Sequence, residues 1–369
     1  MKLALRELRR RPGRFVTATI ILTLIAVLLM FLGGLLDGLI GSSTGAVRAQ
    51  DADAIVYSDA SRATFLRSRI DAATRADVEA IASVTDTGGL GVSLLGARVP
   101  GAGPRELAAV AVWGYELAPS GVPDPPADGE AYADEILQAD GVELGDTLLV
   151  GPARSEITVI GWVRDTAYNG SGGLWANLDT WHAVLAENRP DAVLAEDVQQ
   201  ALAVRSDGSA AELVAAIDAE LGDRGFALTV ADSVNEIPGV REQTTTFNQI
   251  LGVTVVIALV VVALFFALIT VERTGLYGVL KAIGAQSRTI FLGLVTQAVV
   301  VTMIAAIVAG AAVVLLDLLI PPGSIPLSIS AGRIVTSIVL MLIAAVAGSA
   351  FSLRRVLRVD PASALGSNG

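Results

Sequence analysis

Of 369 residues, 53% are hydrophobic and 17% charged, with a mean hydropathy of +0.62, a balance that excludes an ordinary soluble globular protein. The net charge of −11 is unevenly spread: residues 41–246 carry 32 acidic and 13 basic side chains, the remainder 5 acidic and 13 basic. The large segment has the wrong sign for neutralising phosphates, so no nucleic acid is expected as a partner. With no cysteine and one histidine, the chain has no disulfide, no thiolate site and no multi-histidine metal site of its own. Two copies in a dimer would present two His182 side chains. The plainer reading is a loop histidine beside Trp181.

Residues 1–14, with Lys2, Arg6, Arg9, Arg10, Arg11 and Arg14, read as a cytoplasmic amphipathic segment. The apolar run 15–36 is long enough, at the rise of a helix, to cross a hydrocarbon core of about 30 Å. It exceeds a signal-peptide core, and Leu35-Leu36-Asp37-Gly38 lacks a small-residue cleavage pattern. A retained transmembrane helix over 15–40 is expected. Gly34 and Gly38 are four residues apart near its outer end, which permits close helix contact, in a packing seam or a dimer interface. Asp37 lies on the same stretch. Its carboxylate has either a function inside the membrane or simple hydration at the boundary.

Residues 41–246 read as a mixed α/β domain. Strands are expected at 54–57, 107–113, 147–150 and 157–163, and helices at 74–82 and 210–221, the latter with Leu213, Ala216, Ile217 and Leu221 on one face. The proline- and glycine-rich stretch 119–129 suggests a subdomain junction. The carboxylate pairs Asp134-Glu135 and Glu196-Asp197 read as solvated loop charges. Glu236, Arg241, Glu242, Asn248 and Gln249 gather at the outer start of a second span.

Three further spans are expected at 247–271, 291–316 and 334–353. Valine-rich stretches such as 253–262 suit strands in water, but lipid demands that each backbone group be satisfied within a helix or a closed barrel, and these lengths suit helices. Residues 317–333, with two prolines in succession, form a short outer loop. Residues 272–290 form an inner loop in which Leu276, Val279, Leu280 and Ile283 recur at helical spacing. Such a helix lies on the membrane surface or docks into a partner's groove. The basic clusters 2–14, 273–288 and 354–358 fall on one side of a four-span chain, which makes that side cytoplasmic. Both termini, including the tail 354–369, are then inside, and the acidic domain is outside. Only Arg333 closely flanks a span on the other face without an acidic majority around it.

Catalytic signatures are missing. The two lysines, Lys2 and Lys281, preclude the phosphate-cradling loop of a nucleotide hydrolase, and neither a nucleophile elbow nor a zinc-protease helix occurs. The expectation is a non-catalytic membrane subunit without a cofactor, whose energy comes from elsewhere.

Three stretches carry a family resemblance: ERTGLYGVLKAIGAQSRTI over 272–290, RRVLRVDPASAL over 354–365, and EAYADEILQADGVELGDTLLVGPARSEITVIGWVRD over 130–165. Together they resemble the MacB/FtsX-type ABC transporter permeases, with one long outer domain after the first helix. The opening LALRELRRRPGRF, with FLGGLLDGL and DADAIVYSD, is similar to the HrtB/DevC-like branch.

The resemblance implies a homodimer in the plasma or inner membrane, bound to two copies of a cytosolic ATPase that holds ATP and Mg. The inner-loop helix would couple them, with Leu276, Leu280 and Ile283 docking apolar surface and Glu272, Arg273, Lys281 and Arg288 pairing with charges. By location alone, Asp37, Glu236 and Glu242 match the acidic residues that handle substrate in haem-exporting members, and Asn248 and Gln249 lie beside them. Two functions stand. One is export of a haem-like, lipid-like or drug-like molecule. The other is an FtsX-like transmitter that controls an outer-face hydrolase or adaptor without transport.

Overall fold

The computed structural model describes residues 12–103, 106–195, 197–272, 279, 283, 286–320 and 325–357. The chain forms two compact units, one α/β unit over Gly38–Thr244 and one helical unit that includes Thr245–Ile320 and the helical segments up to Asp37 and beyond Leu327.

Among the described residues, four helices are long and apolar enough to cross a membrane, and the helical unit is built on them: α1 (Pro12–Arg48), α6 (Val240–Glu272), α7 (Ser287–Leu319) and α8 (Ala331–Leu357). Each exceeds the limits expected from hydropathy. Apolar run length reports membrane thickness, whereas polar residues such as Ser42, Ser43 and Thr44 continue a helix beyond it. Buried faces are rich in small side chains: Ala18 and Ala26 on α1, Ala298, Ala305 and Ala309 on α7, Ala344 and Ala345 on α8. Between lipid-embedded helices this shape matters more than apolarity, since lipid is as apolar as leucine. At Gly348 of α8, a Cβ would sit 2.7 Å from the Leu259 carbonyl of α6, so any side chain would force the two helices apart. Phe15 of α1 meets Phe265 of α6 edge to face, centroids 6.3 Å apart. The hydroxyls of Thr254, Thr270, Thr296 and Thr336 donate to carbonyls four residues back on their own helices, which removes the penalty of a bare donor in hydrocarbon.

The α/β unit holds β1 (Ala54–Ser58), α2 (Ala72–Glu79), β2 (Val84–Arg98), β3 (Ala108–Tyr115), β4 (Glu130–Asp134), β5 (Thr147–Val150), β6 (Ser155–Val163), β7 (Gly172–Asn177), α3 (Leu178–Asn188), β8 (Ala201–Ser206), α4 (Ala210–Leu221), β9 (Gly225–Thr229) and α5 (Val230–Glu236). The strands run in the order β3-β7-β4-β6-β5-β2-β8-β1-β9, and β2 also pairs with β3. The first six therefore close on themselves, and β8, β1 and β9 extend from the free half of β2.

The fifteen-residue β2 makes this possible. One edge pairs with β3 over Leu90 to Ala97; the other pairs first with β8 and then, at Ala97 and Arg98, with β5. Between those two partners the Val92 N–H would be an orphan. The buried Gln200 side chain accepts its hydrogen bond at 2.7 Å. Gly91 and Gly114 face each other across β2 and β3, leaving a flat patch for Trp181 of α3, whose indole donates to Ser93 at 3.0 Å. A Cβ on Gly114 would lie 2.6 Å from that of Trp181.

Strands β1 and β8 are buried on both faces. Ala54, Val56, Leu202 and Val204 meet α2 and α4 through Val78, Leu213, Ile217 and Leu221. Ile55, Tyr57, Ala201 and Ala203 face an aromatic core of Phe65, Trp113, Tyr115, Tyr168 and Trp175. Trp113 stacks on Trp175 at 5.3 Å, and Tyr168 stands edge-on to Trp113 at 5.2 Å. Burial pushes the Tyr168 phenol up to about 12, so it stays neutral. Local signals agree with the fold: Ser209 and Glu212 form a capping box on α4, and Asp71 caps α2 through the Thr74 N–H at 2.8 Å.

Three expectations change. His182 lies on α3 and not in a loop, because Asn177 caps a helix there through the Thr180 N–H. The 119–129 stretch joins β3 to β4 within the closed sheet, and the division between subdomains is carried by β2. Asp134 is buried, not solvated: it accepts hydrogen bonds from the Thr166 N–H and hydroxyl, both at 2.7 Å, and from the Ile136 N–H at 3.0 Å.

Two predictions follow from these bonds. Gln200→Leu strands the Val92 N–H and should destabilise the protein by about 1–3 kcal/mol, read as a lower thermal midpoint in detergent, while exposed Gln138→Leu should leave the midpoint unchanged. The Thr74 backbone bond holds the Asp71 carboxyl below its ordinary 3.8, and the Thr87 hydroxyl with Arg75 holds Glu79 below its ordinary 4.5. A depressed folded pKa gives stability that is complete above the ordinary value and lost as pH falls through the folded one. Hydrogen exchange around α2 should accordingly rise below those values, and an acid-insensitive α2 would contradict it.

Candidate functional site

Among the described residues of the helical unit, a pair of opposite charges meets near the end of the apolar run of α1. Arg333, in the first turn of α8, donates Nε–H to Asp37 Oδ2 at 2.8 Å and Nη2–H to Asp37 Oδ1. Each donor of the planar guanidinium meets its own carboxylate oxygen, the geometry that makes arginine pairs strong. Backbone shape delivers the arginine. Ser330 caps α8 by accepting the Arg333 N–H at 3.0 Å. A Cβ on Gly33 would lie 2.6 Å from Arg333 Cδ, so the missing side chain makes the channel in which the arginine stem lies. Gly34 does the same for the strand-like approach to α8: its carbonyl accepts the Ser328 N–H at 3.0 Å, and a Cβ there would collide with the Ile329 side chain.

Of the two glycines singled out in the sequence, Gly34 is thus filled within the chain; Gly38 is half-buried. Both Asp37 oxygens are engaged by Arg333. Asn248 and Gln249 are exposed on α6 in the same unit. In the α/β unit, Glu236 accepts from Arg241 at 3.3 Å, and Glu242 is exposed at the start of α6. The sequence marked Asp37 and Arg333 separately. What it lacked was their pairing across 296 positions, and Gly33 carried no signal beyond being one more glycine in an apolar run.

In the 272–290 loop, Arg273, Leu276, Leu280 and Lys281 lie outside the described residues. Glu272 ends α6, and Arg288 sits in the first turn of α7; both are exposed. Between them the Ile283 N–H donates to the Val279 carbonyl at 3.1 Å, and the Ile283 side chain is 79% exposed. An open groove of about 550 Å³ runs between α7 and α8, lined by Ile307, Gly310, Val314, Leu318, Ile334 and Ile338 among others.

Residues 248–361 match the family model described as FtsX-like permease C-terminal. That interval takes in most of α6, the inner loop, α7 and α8. Among solved structures the chain is similar to the periplasmic region of MacB from Actinobacillus actinomycetemcomitans, at 11% identity and a TM-score of 0.36, over 52% of this chain and 95% of that one. It is also similar to the extracellular domain of the noncanonic ABC-type transporter YknZ from Gram-positive bacteria, at 10% identity and a TM-score of 0.32, over 48% of this chain and 99% of that one.

Removing one charge of the Asp37–Arg333 pair leaves the other unpaired at the edge of an apolar bundle. Asp37→Asn and Arg333→Gln should each lower stability by about 2 kcal/mol, a figure kept small because both side chains retain some exposure. The reversed pair Asp37→Arg with Arg333→Asp should recover most of the thermal midpoint lost by either reversal alone. Additive losses in the reversed pair would show that the two charges act separately.

Proposed function

We propose that the chain is the membrane-spanning permease subunit of a MacB/FtsX-type ABC transporter, working as a homodimer with a separate cytosolic ATPase that uses ATP and Mg. The observation that carries this reading is the match of residues 248–361 to the FtsX-like permease C-terminal. It falls on three apolar helices and on the loop that the sequence marks as a docking element. The basic clusters favour a cytoplasmic place for both termini and that loop, with the α/β unit outside the cell membrane. The stretches 3–15 and 51–59 favour the HrtB/DevC-like branch.

In this reading, closure of the ATPase pushes on the inner loop. An isoleucine as exposed as Ile283 is the type of surface that docking would cover, and the sequence of the same loop adds Leu276 and Leu280 as apolar residues and Glu272, Arg273, Lys281 and Arg288 as charged ones. The helices carry the movement to the outer unit, by mechanotransmission and without chemistry in this chain. The apolar groove between α7 and α8 supports a cargo with hydrocarbon surface, hydrophobic or amphiphilic.

Leu280→Asp with Ile283→Asp should abolish co-purification of the ATPase while leaving membrane insertion intact. Unchanged co-purification would remove the coupling assignment. If the complex forms but deletion changes no tolerance to amphiphiles, and the outer unit instead captures a cell-wall hydrolase or adaptor, the FtsX-like transmitter reading takes the place of export.

A further inference from the structure

The end of α1 stays helical to Arg48 and adds a second set of backbone bonds inside the α/β unit. Here the Ala46 N–H donates to the Ala167 carbonyl at 3.1 Å, while the Ser42 and Ser43 carbonyls accept from Gly170 and Asn169 at 3.0 and 3.1 Å. Thr44 bridges Tyr168 in the manner of an antiparallel strand pair. The helix and the 165–171 loop thus share one backbone network. Gly45 makes this approach possible, because a Cβ there would collide with the Asp165 carbonyl and reach within 3.0 Å of that of Ala167.

The loop is shaped and braced for the purpose. Asp165, Asn169 and Gly170 take positive φ of 56°, 50° and 77°, and Tyr168 and Ser171 exchange backbone bonds at 2.9 Å. Thr166 ties the loop to the buried Asp134 at the end of β4 through two donors. Tyr168 inserts its ring against Phe65 and Trp113. On the helix side, Gln50 donates to the Ala46 carbonyl at 3.0 Å. Separating helix from loop would leave the buried Ala46 N–H and the buried Ala167 carbonyl unmet. The other chain crossing differs. The start of α6 meets the same core through Ile237 and Val240 after a turn at Gly239, whose φ is 87°.

We propose that the last turns of α1 and the 165–171 loop form a fixed joint, with Gly45 as its positioning residue. The joint delivers displacement of α1 to β4 and β7. Its purpose rests on the permease reading; its existence as one mechanical body does not.

Hydrogen exchange on the full chain in detergent tests the body directly. Amides of 42–48 and 166–171 should open together. Gly45→Val should speed exchange on both sides about tenfold, with β8 unchanged, whereas Gly41→Ala on the same helix should do nothing. The milder Thr166→Val, which removes only the hydroxyl on Asp134, should loosen the 42–48 amides along with the loop. Loosening confined to the loop in Thr166→Val, or to the helix in Gly45→Val, overturns the joint.

With the ATPase present, ATP should change exchange in β4 and β7 of the wild type but not of Gly45→Val. An equal response in both also overturns the proposal. If the wild type gives no ATP response, the permease reading fails and the first measurement alone decides the joint.

Discussion

Both chain crossings into the α/β unit end in one apolar core, and the outer fold depends on that constraint. Ala46 and Val47 at the end of α1, and Ile237 and Val240 at the start of α6, are buried with Trp113, Tyr168 and Trp175. An insertion of this length between two helices has to bring its ends together against the entropy of closing the loop. The aromatic cluster offsets that cost by burying large rings around both ends. Strands β1 and β8 supply the floor, which is why both are apolar on successive residues and do not alternate. The closed part of the sheet then follows from β2, whose length lets it serve two partners along one edge.

A different rule governs the helical unit. Burial there cannot be driven by water, so close contact and satisfied polar groups decide the arrangement. Alanine and glycine at the crossings bring backbones together, threonine hydroxyls fold back onto their own helices, and the charges at the end of α1 meet each other. Gly33 belongs to the same logic as Gly348: an absent side chain defines where a neighbour lies. A carboxylate that sequence reasoning leaves open between function and hydration becomes a structural fastening between α1 and α8.

Much of this was legible in advance, and the remainder was hidden for identifiable reasons. Hydropathy located the four long helices but not their ends, because the polar turns of α1 continue into the outer unit. Strand β1 declared itself by an apolar run, and helix α4 by the spacing of Leu213, Ala216, Ile217 and Leu221. Strand β2 did not: Gly88, Gly89, Gly91 and Gly96 lower its strand propensity, and the glycines are there because Leu117, Gln199, Trp181 and Leu107 pack onto them. The alanines of β8 are silent in the same way. Asp134 looked like a solvated charge beside Glu135, and only its distance in space to Thr166 shows otherwise. Periodicity reports which face of an element is apolar, whereas such pairs depend on topology.

The charge map gains a physical meaning from the ion pairs. Arg205 bridges Asp51 and Asp86, Arg75 bridges Glu79 and Glu116, and Arg224 holds Asp77. These arginines of the outer unit are spent on stitching strands and helices to one another. Many of the surplus carboxylates remain at the surface, where hydration stabilises them and where they resist any drift of the unit toward an anionic lipid face. Within the α/β unit these ion pairs and the backbone bonds between the end of α1 and the 165–171 loop act alike, each fixing one element against another distant in sequence.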